Sequence, residues 1–190
     1  MRIVLVRHGE TEDAWLPEMG HADPPLSNLG QMQAKVLAGE IVEAAGRGQA
    51  IEAVLTSPLK SAAATAWTIA EALQVDDPQV DDCLGTLTPE ILPEDGGLES
   101  LKALQERAWG LIEKIRDGNE LTLNFVLVSH ELTIRALICR ALGMSLSGAR
   151  RFRLDPASLS AIEFRRAPNG DMRMTVACLN ETCHLEELGV

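Results

Sequence analysis

Apolar and polar positions along this chain follow two rhythms. Met1 to Val6 is a short run, rich in β-branched residues and apolar on both faces, and Asn124 to Ser129 repeats the pattern. Runs of this kind suit central strands of a parallel sheet covered by helices on each side. Ile51 to Thr56 reads as another strand. Helical patterns fall between them. Ser27 is a good N-cap for a helix to about Ala45, stopped by Gly46 and Gly48. Ser57 followed by Pro58 predicts an N-cap with proline at the first helical position, opening an alanine-rich helix to about Leu73. Leu101, Leu104, Ala108, Leu111, Ile112 and Ile115 mark one face of a helix that starts at Leu98 and ends at Gly118, with Trp109 in its packing. A further helix is expected over about Leu132 to Leu142, closed by Gly143. Ser158 to Phe164 and Met172 to Cys178 read as a hairpin about Asn169-Gly170.

Alternating strands and helices predict an α/β fold: a three-layer αβα sandwich, its central sheet mostly parallel with an antiparallel edge from the C-terminal hairpin. The expectation is one domain over residues 1–190. Two stretches lack a clear rhythm. Glu12 to Pro25 is a long loop of the kind that usually carries function, with His21 expected at its surface. Val75 to Asp95 suggests a short strand near Gln79 to Leu84 followed by a loop.

Composition narrows the class. Hydrophobic residues make up 46% and charged residues 24%, the balance of a soluble globular protein. The formal net charge of −11 argues against nucleic acid, an anionic membrane surface or a large polyanionic substrate as partner. Arg150, Arg151 and Arg153 read as a solvated helix end. No apolar run is long enough for a membrane span and the start lacks a signal-peptide layout, so a cytoplasmic protein is expected. Cys83, Cys139, Cys178 and Cys183 then read as free thiols. Cys178, Cys183 and His184 lack a fourth ligand at a recognisable spacing, so no metal or other cofactor is expected.

The candidate chemistry lies where two strands stop. The first strand ends at Arg7-His8-Gly9-Glu10-Thr11, at the carboxyl edge where open α/β sheets bind ligands. Arg7 offers a fork of donors for phosphate or carboxylate. His8 offers a nucleophile, a base or a metal ligand, and Gly9 a sharp turn or close approach. An ordinary charged loop fits that stretch alone. The second strand ends at Val128-Ser129-His130, however, and the chain has only four histidines. Parallel pairing of these strands would set His8 and His130 on one edge, facing each other.

Together these motifs resemble the histidine phosphatase superfamily, its phosphoglycerate-mutase-like group. Asp23-Pro24-Pro25-Leu26-Ser27 with Gly30 and Gln33-Ala34 is similar to the family's helix-opening motif. Ser57-Pro58-Leu59 with Thr65-Ala66, then Gly97-Leu98-Glu99-Ser100, resemble later landmarks, and Asn180 with His184-Leu185 the C-terminal signature. The resemblance implies metal-independent phosphoryl transfer through a phosphohistidine on His8. Arg7 and His130 would hold the phosphoryl oxygens, and Thr11, Ser61 and Lys60 are the candidates to line the substrate.

Three positions depart from that pattern. The second phosphate-gripping arginine of the family falls here on Ser61; Lys60 is adjacent, but one residue round a helix turns a side chain by about 100°. The asparagine expected after the first motif falls on Ala14, and the proton-donating glutamate on Thr86. Glu131, beside His130, and Glu90, in the following loop, are the alternative acids, with Glu131 slightly favoured because a strand end holds it. Three functions follow. The first is a phosphatase acting on a small phosphorylated substrate, the second a phosphatase of phosphohistidine in a phosphoprotein. The third is a degenerate member that binds a phosphorylated ligand without turnover.

Overall fold

A computed structural model of the chain describes residues 1–12, 23–87 and 98–189. Six strands form one sheet: β1 (Arg2–Arg7), β2 (Ile51–Thr56), β3 (Gln79–Val80), β4 (Asn124–Ser129), β5 (Leu159–Arg166) and β6 (Met172–Glu181). Their order is β3-β2-β4-β1-β5-β6. The first four are parallel; β5 joins β1 antiparallel, and β6 joins β5 antiparallel. Helices α1 (Asn28–Gly46), α2 (Lys60–Leu73), α3 (Leu98–Gly118) and α4 (Glu131–Ala141) complete the three layers. None of the described helices is long and apolar enough to cross a membrane.

The period of two along each strand sorts its side chains between two cores. Ile3, Leu5, Phe125 and Leu127 point to the layer of α3 and α4, where Ile112, Ile134 and Leu137 meet them. Val6, Val54, Val126 and Val128 point to α1 and α2, against Leu37, Ala66 and Ile69. Each such side chain, fully buried, contributes about 1.5–3 kcal/mol. Both faces of β1 and β4 are therefore anchored, and their carboxyl ends are fixed relative to each other. The register pairs Arg7 with Ser129, so His8 and His130 leave the sheet side by side.

Local structure departs from expectation in two places. Helix α2 begins at Lys60, and its N-cap Leu59 supplies no side-chain bond. The Ser57 hydroxyl, expected to cap that helix, accepts the Leu59 amide at 3.2 Å and also meets His130, while Asp23 Oδ1 accepts the Lys60 amide at 2.7 Å. The strand expected over Gln79 to Leu84 is only Gln79–Val80. Asp81 Oδ1 accepts the Cys83 amide at 2.7 Å and starts a tight 3-10 turn that drives Leu84 into the core. The hairpin expected about Asn169-Gly170 is present and turns on three residues. Ala167 and Asp171 close it, and only Gly170, φ 89°, takes the left-handed conformation. Ser27 does cap α1, accepting the Gly30 amide at 3.0 Å, and the four cysteines are unpaired.

Candidate active site

The turn after β1 lies directly on the start of α1. A Cβ on Gly30 would fall 1.9 Å from the Glu10 carbonyl oxygen, and one on Gly9 would fall 2.5 Å from the Gly30 carbonyl oxygen. These glycines are required for close approach; neither has a positive φ. The helix-opening motif grips the same turn. Gln33 Oε1 accepts the Glu10 amide at 2.8 Å, and the Ser27 hydroxyl donates to Glu10 Oε1 at 2.8 Å. Thr11 pairs with Leu26, and Glu12 donates to the Pro25 carbonyl, so the two ends of the 12–25 loop are tied together. From α2, Thr65 Oγ1 accepts the Gly9 amide at 3.2 Å.

His8 and His130 stand edge to face, ring centroids 5.0 Å apart. His8 Nδ1 lies 2.7 Å from the Gly9 carbonyl oxygen. A carbonyl only accepts, so Nδ1 carries the proton and Nε2 the lone pair. Burial, then the positive Arg7, pushes His8 below the ordinary histidine value, while the Gly9 carbonyl and Glu131 oppose this. His130 is pushed down to about 3, chiefly by burial and then by His8 and Arg7. Both rings are therefore neutral at neutral pH. His130 Nε2 lies 2.8 Å from Ser57 Oγ.

Arg7 is held from three sides. Its guanidinium donates to the Leu154 carbonyl, and its Nη1 lies 3.3 Å from Glu131 Oε2. The other oxygen of Glu131 lies 2.6 Å from Arg135 Nη2, one turn further along α4. As stability such an i,i+4 pair is worth only about 0.3–0.5 kcal/mol, so its consequence is orientation. The loop 154–158 supports the Arg7-His8 turn through its backbone: Arg7 donates to Ser158, and Ala157 donates to the His8 carbonyl. Asn180 fixes that loop by two bonds to Asp155, at 2.6 and 2.8 Å, and His184 Nε2 donates to the Ala157 carbonyl at 3.0 Å. The C-terminal signature thus acts on Arg7 and His8 through an intermediate loop. Arg7 Nε is buried without a partner among the described residues.

The remaining candidates fall apart spatially. Ser61 is buried, one turn before Thr65 on α2, and its carbonyl accepts the Thr65 hydroxyl at 2.8 Å. It therefore shares the helix face that meets Gly9. Lys60 is exposed. Glu90, Ala14 and His21 lie outside the described residues. Thr86 follows Gly85, whose carbonyl receives Thr133 Oγ1 at 2.9 Å and Arg107 Nη2 at 3.0 Å. Arg153 is solvated and pairs with Asp155. Cys183 is exposed, and the described residues contain no grouping of three His, Cys, Asp or Glu fit for a metal ion.

Sequence reasoning missed Arg135, Asp155 and the role of Ser57. The four-residue spacing of Glu131 and Arg135 was a readable signal for the first. A backbone carbonyl such as that of Leu154 leaves no signal in the sequence.

Fold and site define an α/β sandwich with two histidines and an arginine brought together at one sheet edge. The chain matches the histidine phosphatase superfamily, branch 1, over residues 3–87 and 88–170, and it belongs to that family. It is 33% identical to phosphoserine phosphatase 1 of Hydrogenobacter thermophilus, with 100% of this chain and 97% of that protein covered. It is 28% identical to a probable phosphoglycerate mutase GpmB of Yersinia enterocolitica, covering 98% and 95%. Among solved structures, an Entamoeba histolytica phosphoserine phosphatase in complex with 3-phosphoglyceric acid superposes with a TM-score of 0.74 at 21% identity, covering 97% and 98%. Bacillus stearothermophilus YhfR gives 0.74 at 20% identity, with the same coverage.

Proposed function

We propose that this protein hydrolyses a small phosphomonoester through a phosphohistidine on His8. The observation that carries this reading is the 2.7 Å bond from His8 Nδ1 to the Gly9 carbonyl, which leaves Nε2 as a bare, fixed nucleophile beside Arg7 and His130. In the first step Nε2 attacks phosphorus, the N–P bond forms and the P–O bond to the leaving group breaks. In the second, water attacks phosphorus, the N–P bond breaks, and phosphate departs from a regenerated neutral imidazole. Phosphoryl transfer asks the protein mainly for positioning and charge stabilisation. Arg7 supplies the charge and His130 a further contact on the phosphoryl oxygens.

The leaving oxygen needs a proton. Glu131 has both carboxylate oxygens engaged by guanidinium groups, so we assign it to the orientation of Arg7. The acid is then Glu90, the other carboxylate in reach of that role by sequence. Ser61 supports a second reading, a protein that binds a phosphorylated ligand without turning it over, because the family's second arginine is missing there.

The test is turnover of a panel: phosphoserine and 3-phosphoglycerate, the compounds named for relatives, together with nitrophenyl phosphate and a phosphohistidine peptide. Hydrolysis of a small phosphomonoester that is lost in His8→Ala and survives a chelator is the expected result. Turnover of the phosphohistidine peptide alone would make the substrate a phosphoprotein. Binding without turnover of any compound would establish the second reading.

A further inference from the structure

We propose that Ser57 is a positioning residue that locks His130 in its Nδ1–H tautomer, so that a neutral imidazole can donate to the transferring phosphoryl group. The donor role rests on the function proposed above, whereas the tautomer stands without it.

The argument is a count of protons. Ser57 is fully buried at the end of β2, with its amide donated to the Val128 carbonyl at 3.0 Å. Its hydroxyl has one proton and two acceptor positions. The Leu59 amide donates to Oγ at 3.2 Å, filling one acceptor position, and His130 Nε2 lies 2.8 Å away. If Nε2 carried the proton, Oγ would accept twice. Its own buried proton would then have no acceptor among the described residues, an arrangement that native interiors avoid. If Ser57 donates to a bare Nε2, the hydroxyl proton and the Nε2 lone pair satisfy each other. The imidazole proton then sits on Nδ1.

The alternative way for His130 to donate would be as imidazolium. Its surroundings disfavour that state: His8 faces it from the end of β1, Arg7 stands on the same strand, and Glu131, next to it on α4, is turned to Arg7 and Arg135. Tautomer, rather than charge, equips this ring as a donor. The two strand-end histidines are thereby complementary. Both carry the proton on Nδ1, but His8 has that nitrogen tied to Gly9 and offers Nε2, while His130 has Nε2 tied to Ser57 and offers Nδ1–H. His184 provides an internal reference of opposite sense, because its Nε2 donates to the Ala157 carbonyl.

The test is a long-range proton–nitrogen correlation spectrum of the imidazole rings in ¹⁵N-labelled native protein above pH 7, each ring assigned by substitution. The expected spectrum shows His130 with the Nδ1–H pattern, matching His8 and opposite to His184; an Nε2–H pattern for His130 overturns the proposal. In Ser57→Ala, His130 should lose its fixed tautomer while His8 and His184 keep theirs, which reports an intact fold. A persistent Nδ1–H pattern at His130 in that variant also overturns the proposal. Turnover near neutral pH should fall about tenfold, the size of one lost hydrogen bond, and unchanged turnover would overturn the donor role. Should Ser57→Ala fail to fold, the native spectrum decides. An active phosphatase with an Nε2–H His130 refutes the inference alone; a protein without turnover but with the Nδ1–H pattern refutes only the function.

Discussion

The two flanks of the candidate site are built unequally. On the β1 side, Arg7 is braced by the Leu154 carbonyl, by Glu131 and, through Asp155, by Asn180. On the α2 side, Ser61 adds no charge, and the neighbouring Lys60 is exposed with its amide bound to Asp23. Among the described residues, the charge beside the two histidines is therefore that of Arg7, held by several contacts, with Arg135 behind Glu131. A site with a single gripping arginine depends on that residue more than one that shares the task, and on everything that aims it.

The largest effects should fall on the braced flank. Arg7→Ala should lower turnover by about 10²–10³, the cost of one preorganised donor, with the fold intact. Gly30→Ala should come close, because the added Cβ would meet the Glu10 carbonyl oxygen and displace the turn that carries His8; thermal unfolding and turnover read both consequences. Carboxylate variants sharpen the division of labour. A missing general acid costs about 10²–10⁴, least for good leaving groups. Glu90→Gln should therefore impair alkyl phosphates far more than nitrophenyl phosphate, whereas Glu131→Gln should impair both alike by loosening Arg7. A leaving-group-dependent loss in Glu131→Gln would return the acid role to that residue.

Changes on the sparse flank should be smaller. Ser61→Arg should raise turnover, by up to about a hundredfold if its guanidinium reaches the phosphoryl group. Lys60→Ala should change it by less than about threefold, because the side chain is exposed. A damaging Lys60→Ala with an indifferent Ser61→Arg would show that Lys60 already compensates, and the comparison of flanks would fail.

The buried histidines also make stability depend on pH. His130 stays neutral when folded down to about pH 3, while the unfolded chain takes up the proton near 6.5. The unfolded state thus binds more protons below 6.5, and stability is lost as pH falls through that range, by about 1.4 kcal/mol between pH 7.5 and 5.5. Denaturant unfolding at the two values should show that loss, and His130→Asn should lack the corresponding part.

Much of this was legible in the sequence because the same features serve folding and function. The apolar runs that make β1 and β4 central strands also end in the histidines, so identifying the strands brought the two rings of the candidate site together. The reach of the C-terminal signature was not legible. Asn180 acts on Asp155, and the contact that matters to Arg7 comes from a carbonyl at Leu154. Nor was the start of α2: by local chemistry Ser57-Pro58 is a good helix opening, but the hydroxyl, shared between the Leu59 amide and His130, stands three residues before Lys60. Asp81 overrode the strand expected to Leu84 by a local bond, accepting the backbone amide two residues on.

The central claim is that His8 Nε2 takes the phosphoryl group. Native protein mixed briefly with a phosphomonoester it turns over, quenched in alkali and digested, should yield acid-labile phosphate on the peptide that contains His8, and His8→Ala should yield none. Phosphate found reproducibly on another residue, or full turnover in His8→Ala, would contradict the account.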